Sequence, residues 1–285
     1  MAKRLIINAD DFGIHESVNR GIYKAFTEGI LTSTSLMAGG ECFHDAVAMA
    51  REMDGIGIGV HLTLVGGMPS VLPAEEIPSL TWDNGVLCRD YMELIKRDLQ
   101  HKISLDEVYR EWNAQICRVM ETGLPVTHID GHQHLHMWNR FFPIALTLAK
   151  RYGIHCMRVP DERLLFGLRP SNAVRAFSRD GLSLMAKGHR KTLRKMGILC
   201  NDHFWGMLYG GNFNERRMMH IVDRIRDGVT EFMCHPSADA AALDRAFHWG
   251  YHGEDELKAL LSKAIQDALK KNEIELISYR ALAGA

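Results

Sequence analysis

Cysteine is sparse and scattered in this 285-residue chain: Cys42, Cys88, Cys117, Cys156, Cys200 and Cys234, with no Cys-x-x-Cys pair. That dispersal excludes a zinc ribbon and argues against a disulfide framework, so reduced thiols in a cytosolic protein are expected. An excess of one charge is missing too. The 34 basic and 35 acidic side chains nearly cancel, which leaves no global field to attract nucleic acid or an acidic polymer, and no nucleic-acid partner is expected. Nor is there a long apolar run. The N-terminus passes from Leu5-Ile6-Ile7 into Asp10 and Asp11, too soon for a signal peptide or a membrane span. A cytoplasmic location is expected, with peripheral contact at the inner membrane left open. The length suits one large core, and we expect a single domain over residues 1–285.

What is present is an alternation of strand-like and helix-like stretches. Leu5–Asn8, Ser33–Met37, Ile56–Leu62, Val126–Asp130, Ile154–Val159, Thr230–Cys234 and Glu273–Tyr279 read as strands. Between them, apolar residues spaced by three or four predict helices through Val18, Ile22 and Phe26, through Phe43 to Met53, through Phe141–Tyr152 and through Asp255–Lys271. Ser104 and Glu107 form a capping box before a helix carrying Val108, Trp112, Ile116, Val119 and Met120, and Gly123 supplies its stop. Such alternation predicts an α/β fold with a mostly parallel sheet, closed or partly closed into a distorted (β/α) barrel. Barrels of this kind carry their sites at the C-terminal strand ends.

Two stretches break the pattern. Residues 66–89 are rich in proline and glycine and follow His61 closely, which suits a lid or substrate wall. Residues 163–197 carry nine Lys or Arg side chains against the single acid Asp180, interleaved with Phe166, Leu168, Val174, Phe177, Leu182, Leu184, Met185, Leu193 and Met196. This basic amphipathic insertion reads either as a solvated helical hairpin or as a surface that meets anionic lipid headgroups.

Three strand ends bear metal-ligating residue types: Asn8-Ala9-Asp10-Asp11-Phe12-Gly13, Gly59-Val60-His61-Leu62, and His128-Ile129-Asp130-Gly131-His132-Gln133-His134-Leu135-His136. One carboxylate and two imidazoles suit zinc or another divalent metal, and three protein ligands leave room for a reactive water. Adjacent aspartates on a strand point different ways, so we assign Asp11 to the metal and Asp10 to general base; Asp10-Asp11-Phe12-Gly13 can equally serve as a turn and helix cap. His61 is the second candidate ligand, although a lone histidine there is more often a satisfied core group than a ligand. In an extended chain His132, His134 and His136 share one face. We give His132 the ligand role and place His134 and His136 around it or at the substrate, with Asp130 orienting an imidazole. His235, in Cys234-His235-Pro236, is the candidate general acid for amide cleavage, its alternative being a buried structural histidine. Arg158 can hold Asp10 ionised through a charge-assisted bond, or be an ordinary ion pair.

These pieces, with Thr32-Ser33-Thr34-Ser35, resemble the YdjC-like carbohydrate deacetylases, which include chitooligosaccharide deacetylases and the hopanoid-associated HpnK deacetylases, over nearly the whole chain. The resemblance implies a distorted (β/α) barrel, one divalent metal, zinc or magnesium, and hydrolysis of an N-acetyl group on an amino sugar. It implies metal ligation by Asp11, His61 and His132, base action by Asp10 and an acid at His235. Many members have serine and a further histidine where this chain has Gly131 and Gln133. Ser35-Leu36-Met37-Ala38-Gly39-Gly40, the His61 to Gly67 stretch, Leu72-Pro73 and Arg158-Val159-Pro160 resemble the hopanoid branch more closely. That branch implies a lipid-linked N-acetylglucosamine as substrate; the soluble alternative is a chitooligosaccharide such as diacetylchitobiose. A homodimer is a further expectation from the family. A phosphoesterase would want a second metal or a basic cluster beside the ligands, and neither is visible in the sequence. A non-catalytic sugar- or lipid-binding module would tolerate loss of Asp10 or His235, and both are present.

Overall fold

The computed structural model describes residues 2–82, 85–164, 167 and 173–284, with only the backbone of Val174 and Arg175. The elements run β1 (Lys3–Phe12), α1 (Glu16–Thr27), β2 (Ser33–Leu36), α2 (Phe43–Glu52), β3 (Gly57–Leu62), α3 (Tyr91–Leu99), α4 (Leu105–Met120), β4 (Val126–Gly131), α5 (Phe142–Arg151), β5 (Cys156–Met157), α6 (Ala173–Lys195), β6 (His203–Trp205), α7 (Glu215–Val222), β7 (Gly228–Cys234), α8 (Ala240–Phe247), α9 (Gly253–Leu261), α10 (Lys263–Lys271), β8 (Ile274–Leu276) and α11 (Tyr279–Ala283).

Every pairing between these strands is parallel, in the order β5-β4-β3-β2-β1-β7-β6. β8 pairs with Lys3–Leu5 at the start of β1, and β2 takes that flank from Asn8 onward. The sheet curls into a distorted barrel. Between β5 and β6 run only the isolated bridges Cys156–Leu199 and Glu162–Phe204 among the described residues, so closure there is partial. Residues Leu5–Phe12 and all of β2, β3 and β7 are buried, as expected for strands covered on both faces.

Helix α4 shows how local sequence places a strand end. Ser104 Oγ accepts from the Glu107 amide, and the buried stripe Val108, Trp112, Ile116 and Val119 faces the core. The same stripe brings in Gln115, whose side chain takes the Thr63 N–H at 2.8 Å and gives to the Thr63 carbonyl at 2.7 Å. One turn earlier, Glu111 accepts from the Val71 and Leu72 amides. The chain leaving His61 is thereby pinned to a helix, and buried amides that lack sheet partners are satisfied.

Several elements differ from their sequence-based bounds. Strand β1 runs on through Asp10 and Asp11 to Phe12. Ile154–Val159 contributes only Cys156–Met157 as strand, because Val159 turns its amide to the Asn201 side chain. Asp255–Lys271 is two helices: Ser262 adopts an extended ψ of 123° and caps α10 through the Ile265 amide. Glu273–Tyr279 shortens to β8, and Ser278 caps the terminal helix α11. Of the basic insertion, residues 165, 166 and 168–172, with Phe166 and Leu168, lie outside the described residues, as does the Val174 side chain. Within α6 the buried face is Ala176, Arg179, Ser183, Ala186 and Leu193, while Phe177 and Leu184 are more than half exposed. Among the described residues, no helix is long and apolar enough to cross a membrane.

Candidate metal centre and active site

The C-terminal ends of β1, β3, β4 and β7 bring Asp10, Asp11, His61, His132 and His235 together. In a regular strand Asp10 and Asp11 would point to opposite faces. They do not here, because β1 bulges. Ala9 to Phe12 spans three steps against two from Thr34 to Leu36, and Asp11 sits at a left-handed φ of 65°. One extra residue re-aims the chain, so both carboxylates enter the same buried network on different partners.

Asp11 Oδ1 lies 3.0 Å from His132 Nδ1 and 3.3 Å from His61 Nε2, and Asp11 Oδ2 lies 3.9 Å from His235 Nε2. Ligating atoms of Asp11, His61 and His132 all fall within 4.8 Å of one another. His61 turns its other nitrogen, Nδ1, to Asp130 Oδ1 at 2.8 Å, the outer carboxylate–imidazole pairing that orients a metal-binding histidine. Ser35 Oγ in turn donates to Asp130 Oδ2 at 2.6 Å and receives from Asn8 Nδ2 at 2.8 Å.

The charges of these groups are tightly coupled. Burial disfavours charge on Asp11, yet His132 and His61 hold its carboxyl well below the usual range. Burial likewise opposes a charged His61, but Asp130 and the hydrogen bonds to Asp11 and Asp130 push it up to about 10. Asp130 is held low, against burial, by Arg158 and His61. Asp11 Oδ2 is buried and has no hydrogen-bond partner. A carboxylate with one oxygen against two imidazoles and the other unsatisfied fits one divalent ion, whose charge would replace that of the imidazole protons. A second group of candidate ligands, Asp10, His61 and Asp130, does not fit. The Arg158 guanidinium already occupies it, 2.6 Å from Asp10 Oδ2 and 2.9 Å from Asp130 Oδ2.

The three-histidine run is not extended. Strand β4 stops at Gly131, and residues 132–137 coil tightly with Gln133 and His134 at φ of 53° and 57°. This splays the imidazoles. His132 faces Asp11, His136 Nε2 approaches the Arg158 carbonyl at 3.1 Å, and the His134 ring lies edge-on to Phe204 at 5.7 Å. Burial lowers His136 to about 4 and His134 well below its ordinary value, so both rings are neutral near pH 7. His128 is also buried and lowered to about 3. It fits only because residue 59 is glycine: a Cβ there would lie 2.4 Å from His128 Nε2.

Above the candidate ligands lies a cavity of about 450 Å³. Asp10, His61, His132, His134 and His235 form its floor, and its walls are mostly apolar, with Tyr91, Met92 and Ile95 from α3, Leu182 and Met185 from α6, and Leu135, Met207 and Met233, joined by the polar Gln133, Ser178 and Arg179. No described residue of 66–89 lines it. That segment is tied to α4 instead, and α3 and α6 make the walls. A larger cavity of about 730 Å³ between α6 and the turn after α7 touches none of the candidate ligands.

Sequence reasoning missed Ser35, Asn8, Glu231, Glu256 and Tyr279. Glu231 carried a signal, an acid in the apolar run Val229-Thr230-Glu231-Phe232-Met233. Glu256 accepts from the His235 backbone N–H at 2.6 Å and fixes that turn. It stands in an acid-rich helix start that looks solvated in sequence. Tyr279 carried no local signal.

Comparison with known proteins gives a consistent picture. Residues 4–271 match the family model described as YdjC-like protein. A carbohydrate deacetylase of Brevibacillus brevis is 33% identical over 282 residues, covering 98% of this chain and 99% of the relative. A chitooligosaccharide deacetylase of Proteus mirabilis is 30% identical over 286 residues, covering 99% and 100%. The crystal structure of a proposed cellobiose-phosphate cleavage protein from Enterococcus faecalis V583 superposes with a TM-score of 0.79 at 28% identity, covering 99% of both chains.

Proposed function

The chain belongs to the YdjC-like protein family, and from that premise we propose that it is a metal-dependent hydrolase that removes the N-acetyl group from an amino sugar. The observation that carries this reading is the convergence of Asp11, His61 and His132 beside two further groups suited to proton transfer, Asp10 and His235, all but the buried Asp11 lining one cavity. The relatives named as carbohydrate and chitooligosaccharide deacetylases support the reaction class.

Asp11, His61 and His132 would hold the metal, and an imidazole-rich set favours zinc over magnesium. When bound, the ion supplies Lewis-acid polarisation of the acetamide carbonyl and charge for the oxyanion. Asp10, gripped by Arg158, takes a proton from the attacking water. His235 delivers a proton to the departing nitrogen, so acetate and a free amine result. His235 Nδ1 is buried without a hydrogen-bond partner, its ring stands 5.1 Å from Tyr251, and its Nε2 faces Asp11 Oδ2 at 3.9 Å. His134, neutral and on the cavity floor, is placed to contact the sugar.

We further propose a lipid-linked, hopanoid-type N-acetylglucosamine as the substrate, because the cavity walls from α3 and α6 suit an apolar aglycone rather than a second sugar ring. Exposed Phe177 and Leu184 beside Lys187 and Lys191 on α6 suit a peripheral meeting with anionic lipid. The names of the relatives favour a soluble chitooligosaccharide instead. Acetate release decides between them. Metal-stripped and metal-restored protein is offered N-acetylglucosaminyl hopanoid in detergent and, separately, diacetylchitobiose. Metal-dependent release from the lipid alone supports the hopanoid reading, release from chitobiose alone overturns it, and release from neither removes the deacetylase reading.

The acid role has its own test. His235→Ala is expected to slow acetate release by about 10²–10⁴-fold, the usual worth of a positioned proton donor, while metal content stays at the wild-type level. Unchanged turnover would move the acid role to another group.

A further inference from the structure

Arg158 is fully buried, and three carboxylates surround its guanidinium. Its two outer nitrogens bind Asp10, Nη1 to Oδ2 at 2.6 Å and Nη2 to Oδ1 at 2.7 Å. Glu231 Oε1 takes the adjoining edge, accepting from Nε at 2.8 Å and lying 2.8 Å from Nη2, which also stands 2.9 Å from Asp130 Oδ2. Glu231 Oε2 then accepts from the Tyr279 hydroxyl at 2.6 Å. Tyr279 is itself held twice more. Its ring stacks on His128 with centroids 3.9 Å apart and planes 14° apart, and its amide donates to Ser33 Oγ at 3.0 Å. Neither Glu231 nor Tyr279 lines the cavity over the candidate metal site.

A guanidinium is a rigid planar fork, so anchoring its Nε edge fixes the direction of the Nη pair. The carboxylate clasped by that pair is aimed with it. We propose that Glu231 and Tyr279 are positioning residues for Asp10, acting through Arg158. They set the rotation of the guanidinium and hence the aim of the carboxylate that takes the proton from water; this rests on the base role assigned to Asp10 above. Charge distribution agrees with the geometry. Burial raises the Glu231 carboxyl to about 7, opposed by Arg158 and the Tyr279 hydroxyl, the same two groups that hold it in the geometry above. The last helix of the chain thus reaches the reaction centre from beneath the barrel without touching substrate.

The test compares metal-loaded wild type with Tyr279→Phe, Glu231→Gln and Glu231→Ala, measuring kcat and KM for acetate release on whichever sugar substrate wild type hydrolyses, together with metal content and thermal midpoint. Tyr279→Phe keeps the ring on His128 and loses only the hydroxyl. It and Glu231→Ala are expected to lower kcat by about tenfold to a hundredfold, the scale of a small misplacement of a reacting group, with KM and metal content unchanged. Glu231→Gln is expected to recover most of the loss seen in Glu231→Ala, because its amide oxygen still accepts from Arg158 Nε. A lowered thermal midpoint with wild-type kcat marks a purely structural network and overturns the proposal, as does a kcat that falls in step with metal content. Should Tyr279→Phe fail to fold, the contrast between the two Glu231 variants carries the test. Active wild type with unimpaired variants overturns the positioning alone; wild type that holds metal but releases no acetate overturns the deacetylase reading and the positioning with it.

Discussion

Asp10→Asn is expected to retain its divalent metal at wild-type stoichiometry while releasing acetate about 10²–10⁴-fold more slowly. Metal retention follows because the three candidate ligands lie on Asp11, His61 and His132, and the His61 ring stays oriented by Asp130. Loss of turnover follows from two changes at one position. The amide cannot take a proton as a carboxylate does, and its NH2 group would face an Arg158 nitrogen that now donates to a carboxylate oxygen. Folding should survive, since Arg158 keeps Asp130 and Glu231 as partners and is not left as an unpaired buried charge, which would be the costly outcome. Metal analysis and acetate release on the same preparation check both halves. A fully active Asp10→Asn protein removes the base assignment, and one that loses its metal places Asp10 among the ligands.

His132→Ala is expected to lose both metal and turnover. Removing an outer hydrogen-bonding partner of a metal site typically costs about 10–100-fold in affinity, and loss of a direct ligand should exceed that. Neighbouring histidines cannot substitute. The left-handed pair Gln133 and His134 turns the chain so that His134 meets Phe204 and His136 meets the Arg158 carbonyl. His134→Ala is therefore expected to keep its metal, with any defect falling on substrate binding. Equilibrium dialysis against zinc, with both variants beside wild type, separates the two. Full metal binding by His132→Ala would transfer that ligand position to another side chain and undo the three-residue set.

The two results bear on how the centre works as a unit. Asp130 links its halves, orienting His61 through one oxygen and binding Arg158 through the other. The proposed ligand side and the proposed proton-transfer side thus share one buried carboxylate, held low by Arg158 on one flank and His61 on the other. Ser35, from β2, closes the link by donating to the same oxygen that meets Arg158.

How much of this was legible in the sequence depends on the range over which each feature is encoded. The alternation of strands and helices, the parallel barrel, and the placing of Asp10, Asp11, His61, His132 and His235 at strand ends are local: an apolar run followed by a polar ligating residue carries its own signal in a few positions. Features that depend on pairing between distant segments were silent. The bulge at Asp11 is a mismatch of register between β1 and β2, and neither strand announces it alone. The splayed histidines follow from two left-handed residues that a spacing rule treats as extended chain. Tyr279 meets Glu231 across 48 residues only because β8 docks beside β1 and brings the last helix under the barrel. The cavity walls come from α3 and α6, which flank the site only after the sheet has curled. Sequence by itself therefore determined which candidate residues stand at which strand ends, because side-chain type and hydrophobic period are properties of short segments. Tertiary structure alone decided where those side chains point and what steadies them, because register, closure and burial arise only when distant segments pack.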